Sequence, residues 1–430
     1  MVESFTVEWG MMINSSFQQV INRFITRIES LKFSFQLIAN IIELNKKNAE
    51  QEFIGFTSPF LSQEQTETAL KISLEMPYEK LLDFKVLGKK ALQYSISSPV
   101  IKRNFIISLV SEFDIHLSLL IRTMFCVKPE TIHVSDKQLS FKQLLTFDSM
   151  DSAKEYLIEK EIESVLRESH NEHFKWLENR LGMKSLRNFD TPAWENFIEI
   201  TERRNLFVHC DGIISNQYIN VCTENKINLS NSKVGDQLDV SEEYFDKAYY
   251  CFFEVGVKLA HTIWRKIKPE EREIADETLN NLCLQLIIEE EYNLSNILLD
   301  FARSEPIIKN SSQQSKLLLL LNKAQCLKWT GDAKEYRNLL LQQDWSACCD
   351  EFKLARSILL DEYDESYKLM KLIGNNPEKI SMIHYREWPV FKEFRKTEQF
   401  LKAYQEIFNE TFDLKPAPSS FTDTESNNKN

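Results

Sequence analysis

The chain has 430 residues, 43% of them hydrophobic, and a formal net charge of −12. This length exceeds what one ordinary core organises and calls for two or three domains, while the apolar content excludes a disordered chain. The acidic balance excludes a broad basic coat for nucleic acid, so any RNA or DNA contact has to be local.

Nine Gly and eleven Pro are few for this length. Sheet-rich folds need many turns, so the scarcity predicts an all-α chain. In chain order, residues 12–47 read as a helix, with Phe17, Val20, Ile21, Phe24, Ile25, Ile28 and Leu31 at three- and four-residue spacing. A looser helical stretch over 63–94 follows the punctuation at Gly55–Pro59, and residues 1–95 are taken together as an N-terminal helical region with no chemistry assigned. The next helix is expected to start at Ser98-Pro99, with Ser as cap and Pro in the first turn. Its stripe is Phe105, Leu109, Phe113, Leu117, Leu120 and Met124, with Arg103, Glu112, Asp114 and Arg122 between or beside these.

Residues 128–150 read as a connector with short helical pieces, and 152–181 as one charged helix. That helix carries His170 and His173, whose spacing could place both on one face for a metal. The favoured reading is two exposed imidazoles with no third ligand nearby, so neither metal nor cofactor is expected. The following helix takes Thr191 as cap and Pro192 in its first turn, and stops near Gly212. Residues 213–240 suit a loop or short hairpin, and 241–267 an amphipathic helix with aromatic core positions. Residues 96–268 thus make a bundle of four main helices.

From residue 270 the texture changes. Three stretches, 279–302, 317–341 and 351–374, share an apolar helix, a tight turn (at Tyr292, Gly331-Asp332 and Tyr363) and a second helix. "NKAQCLKWTGDAKEY" resembles the core of a tetratricopeptide repeat, with Ala324 as the small residue and Gly331 at the turn, so 270–412 is expected to be tetratricopeptide-like. An aromatic segment ("HYREWPVFKEFRKTEQFLKAYQEIF") caps the stack, and 413–430 reads as a disordered tail.

Eight Cys occur without a C-x-x-C pair, and Cys348 and Cys349 are adjacent, which suits neither zinc nor an ordinary disulfide. Cys126, Cys222, Cys251, Cys283 and Cys326 lie among apolar residues and read as small buried hydrophobes in a reducing cytosol. "MVESFTVEWG" lacks the basic and apolar regions of a signal peptide, and no uncharged apolar run reaches membrane-spanning length. The expected location is the cytoplasm, with no membrane partner.

One short stretch carries chemistry. In "RRNLFVHCDG" the helical wheel puts Arg204, Asn205 and His209 on the face that Trp194, Phe197 and Ile198 bury, with Val208 below Thr201. A charged Arg on such a face needs a partner or a cleft. It is either a polar helix end paired with Glu199 or Glu202, or a small catalytic site. His can take the proton of a ribose 2′-OH near neutral pH, Arg can stabilise charge on the phosphate, and Asn can orient either group.

Arg204-Asn205-x-x-x-His209 matches the Arg-x(4–6)-His signature of HEPN-domain proteins (higher eukaryotes and prokaryotes nucleotide-binding). "RNFIISLVSEFDIHLSLLIR" (103–122) resembles that family's opening helix, and "RRNLFVHCDGIISNQYI" (203–219) its motif helix. The resemblance covers 96–268. It implies an all-α HEPN-like bundle that forms a homodimer, with two motifs meeting in one metal-independent endoribonuclease site that cleaves RNA. It also implies a bacterial toxin or antiviral abortive-infection effector. The helical repeats then offer a groove for a partner protein or peptide. The alternative is a non-catalytic helical scaffold in which Arg204 and His209 are structural. A nucleotide-transferase or nucleotide-binding role for the N-terminal part ranks below both, because the chain has no Gly-rich phosphate loop and no paired-Asp nucleotidyltransferase pattern.

Overall fold

The computed structural model describes residues 15–65, 70–130, 139–183, 186–187, 193–229 and 232–413. The chain is all-α, and among the described residues the helices are interrupted by one two-stranded antiparallel hairpin. It divides into two compact units, Met1–Ala275 and Asp276–Asn430. The described residues before 96 fall in the same unit as those of 96–268. The expected tail over 413–430 lies, after Asp413, outside the described residues.

In the first unit, a capping box starts α1 (Phe17–Thr57): Ser16 Oγ accepts from the Gln19 amide and Gln19 Oε1 accepts from the Ser16 amide. The apolar spacing buries Phe17, Val20, Ile21, Phe24, Ile25 and Ile28. The helix continues past residue 47 and through Gly55. Strands β1 (Leu61–Gln65) and β2 (Leu70–Leu74) then pair with Leu61 opposite Leu74, in place of the first part of the helix expected over 63–94. Leu70, Ile72 and Leu74 alternate at the two-residue period of a strand.

Helix α2 (Leu81–Val127) runs unbroken through Ser98 and Pro99, which corrects the expected start there. An interior proline costs roughly 3 kcal/mol. Two features offset it: α2 packs along α1, and Ser98 Oγ donates to Glu43 Oε2 at 3.0 Å. One apolar window of α2 is long enough to cross a membrane by length and composition, and half of that window is buried inside the protein. The connector holds the short α3 (Phe141–Leu144). The single helix expected over 152–181 is two, α4 (Met150–Leu166) and α5 (His170–Leu181), because Ser169 caps a new start by accepting from the Glu172 amide. Helix α6 (Ala193–His209) follows; its expected cap residues, Thr191 and Pro192, lie outside the described residues. The stretch 213–240 contains a short helix, α7 (Asn216–Glu224), instead of a hairpin alone. Helix α8 (Glu242–Ile267) is buried on nearly all sides among α1, α2 and α6. At the centre, Phe113 of α2, Phe197 of α6 and Phe252 of α8 meet with ring centroids 4.9–5.3 Å apart.

Helix α9 (Arg272–Ile288) contains the division between the units. With α10 (Tyr292–Arg303) it forms the first of three hairpins. After the short α11 (Glu305–Ile308), the others are α12 (Gln313–Trp329) with α13 (Ala333–Gln342), and α14 (Asp350–Leu359) with α15 (Tyr363–Ile373). All three turns have one construction. Glu290, Gly331 and Asp361 are left-handed, with φ of 62°, 90° and 63°. The next amide donates six-to-one across the turn: Glu291 to Leu286 O, Asp332 to Leu327 O and Glu362 to Ser357 O, at 2.8–2.9 Å. This is the Schellman stop, and the second helix begins one residue later. The aromatic segment closes the unit through α16 (Met382–Glu387) and α17 (Glu398–Phe408), burying Tyr385, Phe391, Phe394, Phe400 and Tyr404. Of the Cys residues read as buried, Cys222, Cys251, Cys283 and Cys326 are so, while Cys126 is half-buried.

Candidate active site

The polar end of α6 is held from α2. Arg103 of α2 donates to the carbonyl and carboxylate of Asp211, just past the helix end, and to Asp239 Oδ1 at 2.6 Å. Asp211 and Gly212 both take positive φ, and a Cβ on Gly212 would come within 2.8 Å of Leu238 O. The chain therefore turns away from α6 where the sequence places Gly.

Three consecutive polar residues of α6 point to different partners. Arg203 Nε donates to Glu199 Oε1 at 2.7 Å, and the same buried carboxylate accepts from the Tyr218 and Tyr244 hydroxyls at 2.7 and 2.8 Å. Arg204 Nη2 reaches Asp114 Oδ2 of α2 at 3.3 Å, and its Nε is buried without a partner. Asn205 Nδ2 lies 3.5 Å from Glu202 Oε1. Glu199 thus serves Arg203, and the hydrogen-bond partner of Arg204 is neither Glu199 nor Glu202, the two carboxylates that the polar-helix-end alternative offered. It comes from another helix.

Arg204 and Asn205 are half-buried, as expected of the inward face, but His209 and Val208 are exposed. The wheel placed them inside, yet α6 ends at His209 and the neighbouring helices no longer cover it. An exposed imidazole at a helix end can meet a substrate and exchange protons with solvent. The structure puts Arg204 and Asn205 on adjacent positions and His209 one turn beyond Asn205.

Behind Arg204 lies a buried cluster that sequence reasoning missed. His170 and His173 were expected to be exposed; they are 7% and 1% exposed. The apolar side of α5 faces the core and carries both imidazoles inward, His170 beside Phe113 and Phe197 and His173 beside His170. The absent third group is also present: Asp114 Oδ1 accepts from His170 Nε2 at 2.9 Å. Asp114, His170 and His173 are therefore the residues of this region with the donor set of a metal site. Burial, with His170 adding to it, pushes the His173 imidazole down to about 4, against the pull of Asp114 and nearby carbonyls. Burial also raises the Glu202 carboxyl, opposed by Asn205, His170 and Arg204. The signal for Asp114 was its charge next to Phe113 on a core stripe, where a carboxylate needs a partner.

No protein-family model, curated protein or solved structure matches the chain.

Proposed function

We propose that the chain is a metal-independent endoribonuclease of HEPN type, acting in the cytoplasm as a bacterial toxin or antiviral abortive-infection effector. The observation that carries this reading is the division of labour at the end of α6. The Arg204 guanidinium is oriented by Asp114 at 3.3 Å, while the His209 imidazole is open to solvent. In this reading His209 removes the ribose 2′-OH proton, the 2′-oxygen attacks phosphorus, and Arg204 stabilises the charge on the phosphate. Asn205 orients the imidazole or the phosphate. A homodimer doubles the sparse site by bringing a second Arg204 and His209 to the same phosphate, one imidazole as base and the other as acid. The acidic remainder of the surface disfavours unspecific RNA binding. In the second unit, a cleft of about 630 Å³ walled by Leu317, Phe352, Ile380 and Trp388 supports a regulatory peptide or partner protein on tetratricopeptide-like repeats.

A second reading, a non-catalytic helical scaffold, is favoured by the same ion pair, since a guanidinium already matched by Asp114 needs no substrate. A digest of single-stranded RNA by the purified chain, in buffer without added divalent ions, separates them. The nuclease yields 2′,3′-cyclic phosphate and 5′-OH ends. Products with 3′-OH and 5′-phosphate ends, or DNA cut at a similar rate, would exclude this mechanism.

A further inference from the structure

The cluster behind Arg204 has more chemistry than an ion pair uses. His170 and His173 stand three residues apart at the start of α5 and project from the same side. Their ring centroids are 4.9 Å apart, with planes at 58°. One ligand atom each from Asp114, His170 and His173 lies within 4.8 Å of the other two. One pair, His170 Nε2 and Asp114 Oδ1 at 2.9 Å, already has the spacing of neighbouring ligands on one ion.

His173 makes the case independently. It is 1% exposed, and neither ring nitrogen makes a well-aligned hydrogen bond, although the Glu168 and Val165 carbonyls lie close to the ring. Buried polar side chains are satisfied in the great majority of proteins, because an unmatched one loses its hydration and gains nothing. A carbonyl can take the N–H of one nitrogen, and the lone pair of the other calls for an explanation. A cation supplies one, because it can accept that lone pair while the other nitrogen gives its N–H to a carbonyl.

We propose that Asp114, His170 and His173 bind a borderline first-row divalent cation, with Zn²⁺ as the natural fit, and so tie α5 to α2. Two imidazole nitrogens and one carboxylate oxygen are the donor set such ions take, with a fourth position left for water. On binding, the proton shared by His170 Nε2 and Asp114 Oδ1 goes to solvent and the ion takes its place. Arg204 Nη2, on the other carboxylate oxygen, leaves Oδ1 on His170 and acts as an outer contact that fixes the ligand. The proposal concerns structure and stability and does not rest on the ribonuclease reading, whose chemistry lies at His209.

The test uses the full chain, stripped with a chelator, returned to chelator-free buffer and titrated with Co²⁺, then Zn²⁺. The expected result is saturation at about one Co²⁺ per chain, with the intense visible bands of a four-coordinate site and their loss when Zn²⁺ displaces the ion. Bound Zn²⁺ also raises the melting temperature. His173→Ala weakens binding at least about tenfold, whereas His384→Ala, which removes an exposed imidazole of the second unit, leaves it unchanged. The weak spectrum of hydrated Co²⁺ at every ratio overturns the proposal, and so do four-coordinate bands that persist in His173→Ala. If that variant does not fold, the wild-type Co²⁺ spectrum decides alone. No RNA is present in this experiment, so its failure leaves the ribonuclease reading where it stands.

Discussion

Arg204 Nη2 lies 3.3 Å from Asp114 Oδ2 and joins α6 to α2 across ninety positions of sequence. Their side chains are 22% and 29% exposed, between a surface pair and a buried one. Arg204→Ala should therefore lower stability by about 1–2 kcal/mol. His209→Ala, at an exposed helix end, should stay within about 0.5 kcal/mol of the parent. On the proposed ribonuclease mechanism, RNase activity should fall roughly 10²–10⁴-fold in His209→Ala and strongly in Arg204→Ala; Asn205→Ala should be milder. Thermal melts and RNA cleavage on the same purified variants check both parts. A His209→Ala protein with full RNase activity would remove that residue from the chemistry.

Acid should weaken the first unit through His116. This imidazole is buried, stacks on Phe24 at 4.1 Å and has Nε2 3.2 Å from Gly256 O. Burial is the main reason its pKa falls from 6.5 to about 4. The unfolded chain takes up this proton at the ordinary value and the folded chain does not. Stability is thus unaffected above pH 6.5, declines as pH falls toward 4, and levels off below, for a total loss of about 3 kcal/mol. Denaturant melts across this range on the parent and His116→Gln should give a shallower acid slope for the variant. Equal slopes would contradict the assignment.

Gly256 on α8 is a packing requirement. A Cβ there would run into the ring of Phe24, which is itself fully buried. Gly256→Ala gains helix propensity but forces that ring off its site, so a net loss of about 1–3 kcal/mol is expected. The double variant Phe24→Leu/Gly256→Ala should recover part of it. A Gly256→Ala chain as stable as the parent would mean that α1 and α8 can separate without cost.

Much of the local architecture is legible in the sequence, because it is set by neighbours along the chain. The apolar spacing from Phe17 to Ile28 reads as a helix, and Gly331 followed by Asp332 reads as a tight turn. Arg204 and Asn205 fall on an inward face because seven residues make nearly two turns from Phe197 and Ile198. Less legible were features where local rules compete. Pro99 signals a helix start, yet long packing of α2 on α1 carries the helix through it. The period-two pattern at Leu70, Ile72 and Leu74 is too short to stand out inside a helical stretch.

What the sequence by itself determined is the all-α class, the three hairpin turns and the positions of Arg204, Asn205 and His209 on one helix. These depend on spacing, propensity and turn chemistry within a few residues. Only the tertiary structure decided the surroundings of those side chains. Asp114 meets His170 and Arg204 across 56 and 90 positions, and His170 and His173 turn inward because the apolar side of α5 must face the core that Phe113 and Phe197 build. Burial and pairing of charges come from contacts between distant helices, and no helical wheel drawn on one of them contains the other.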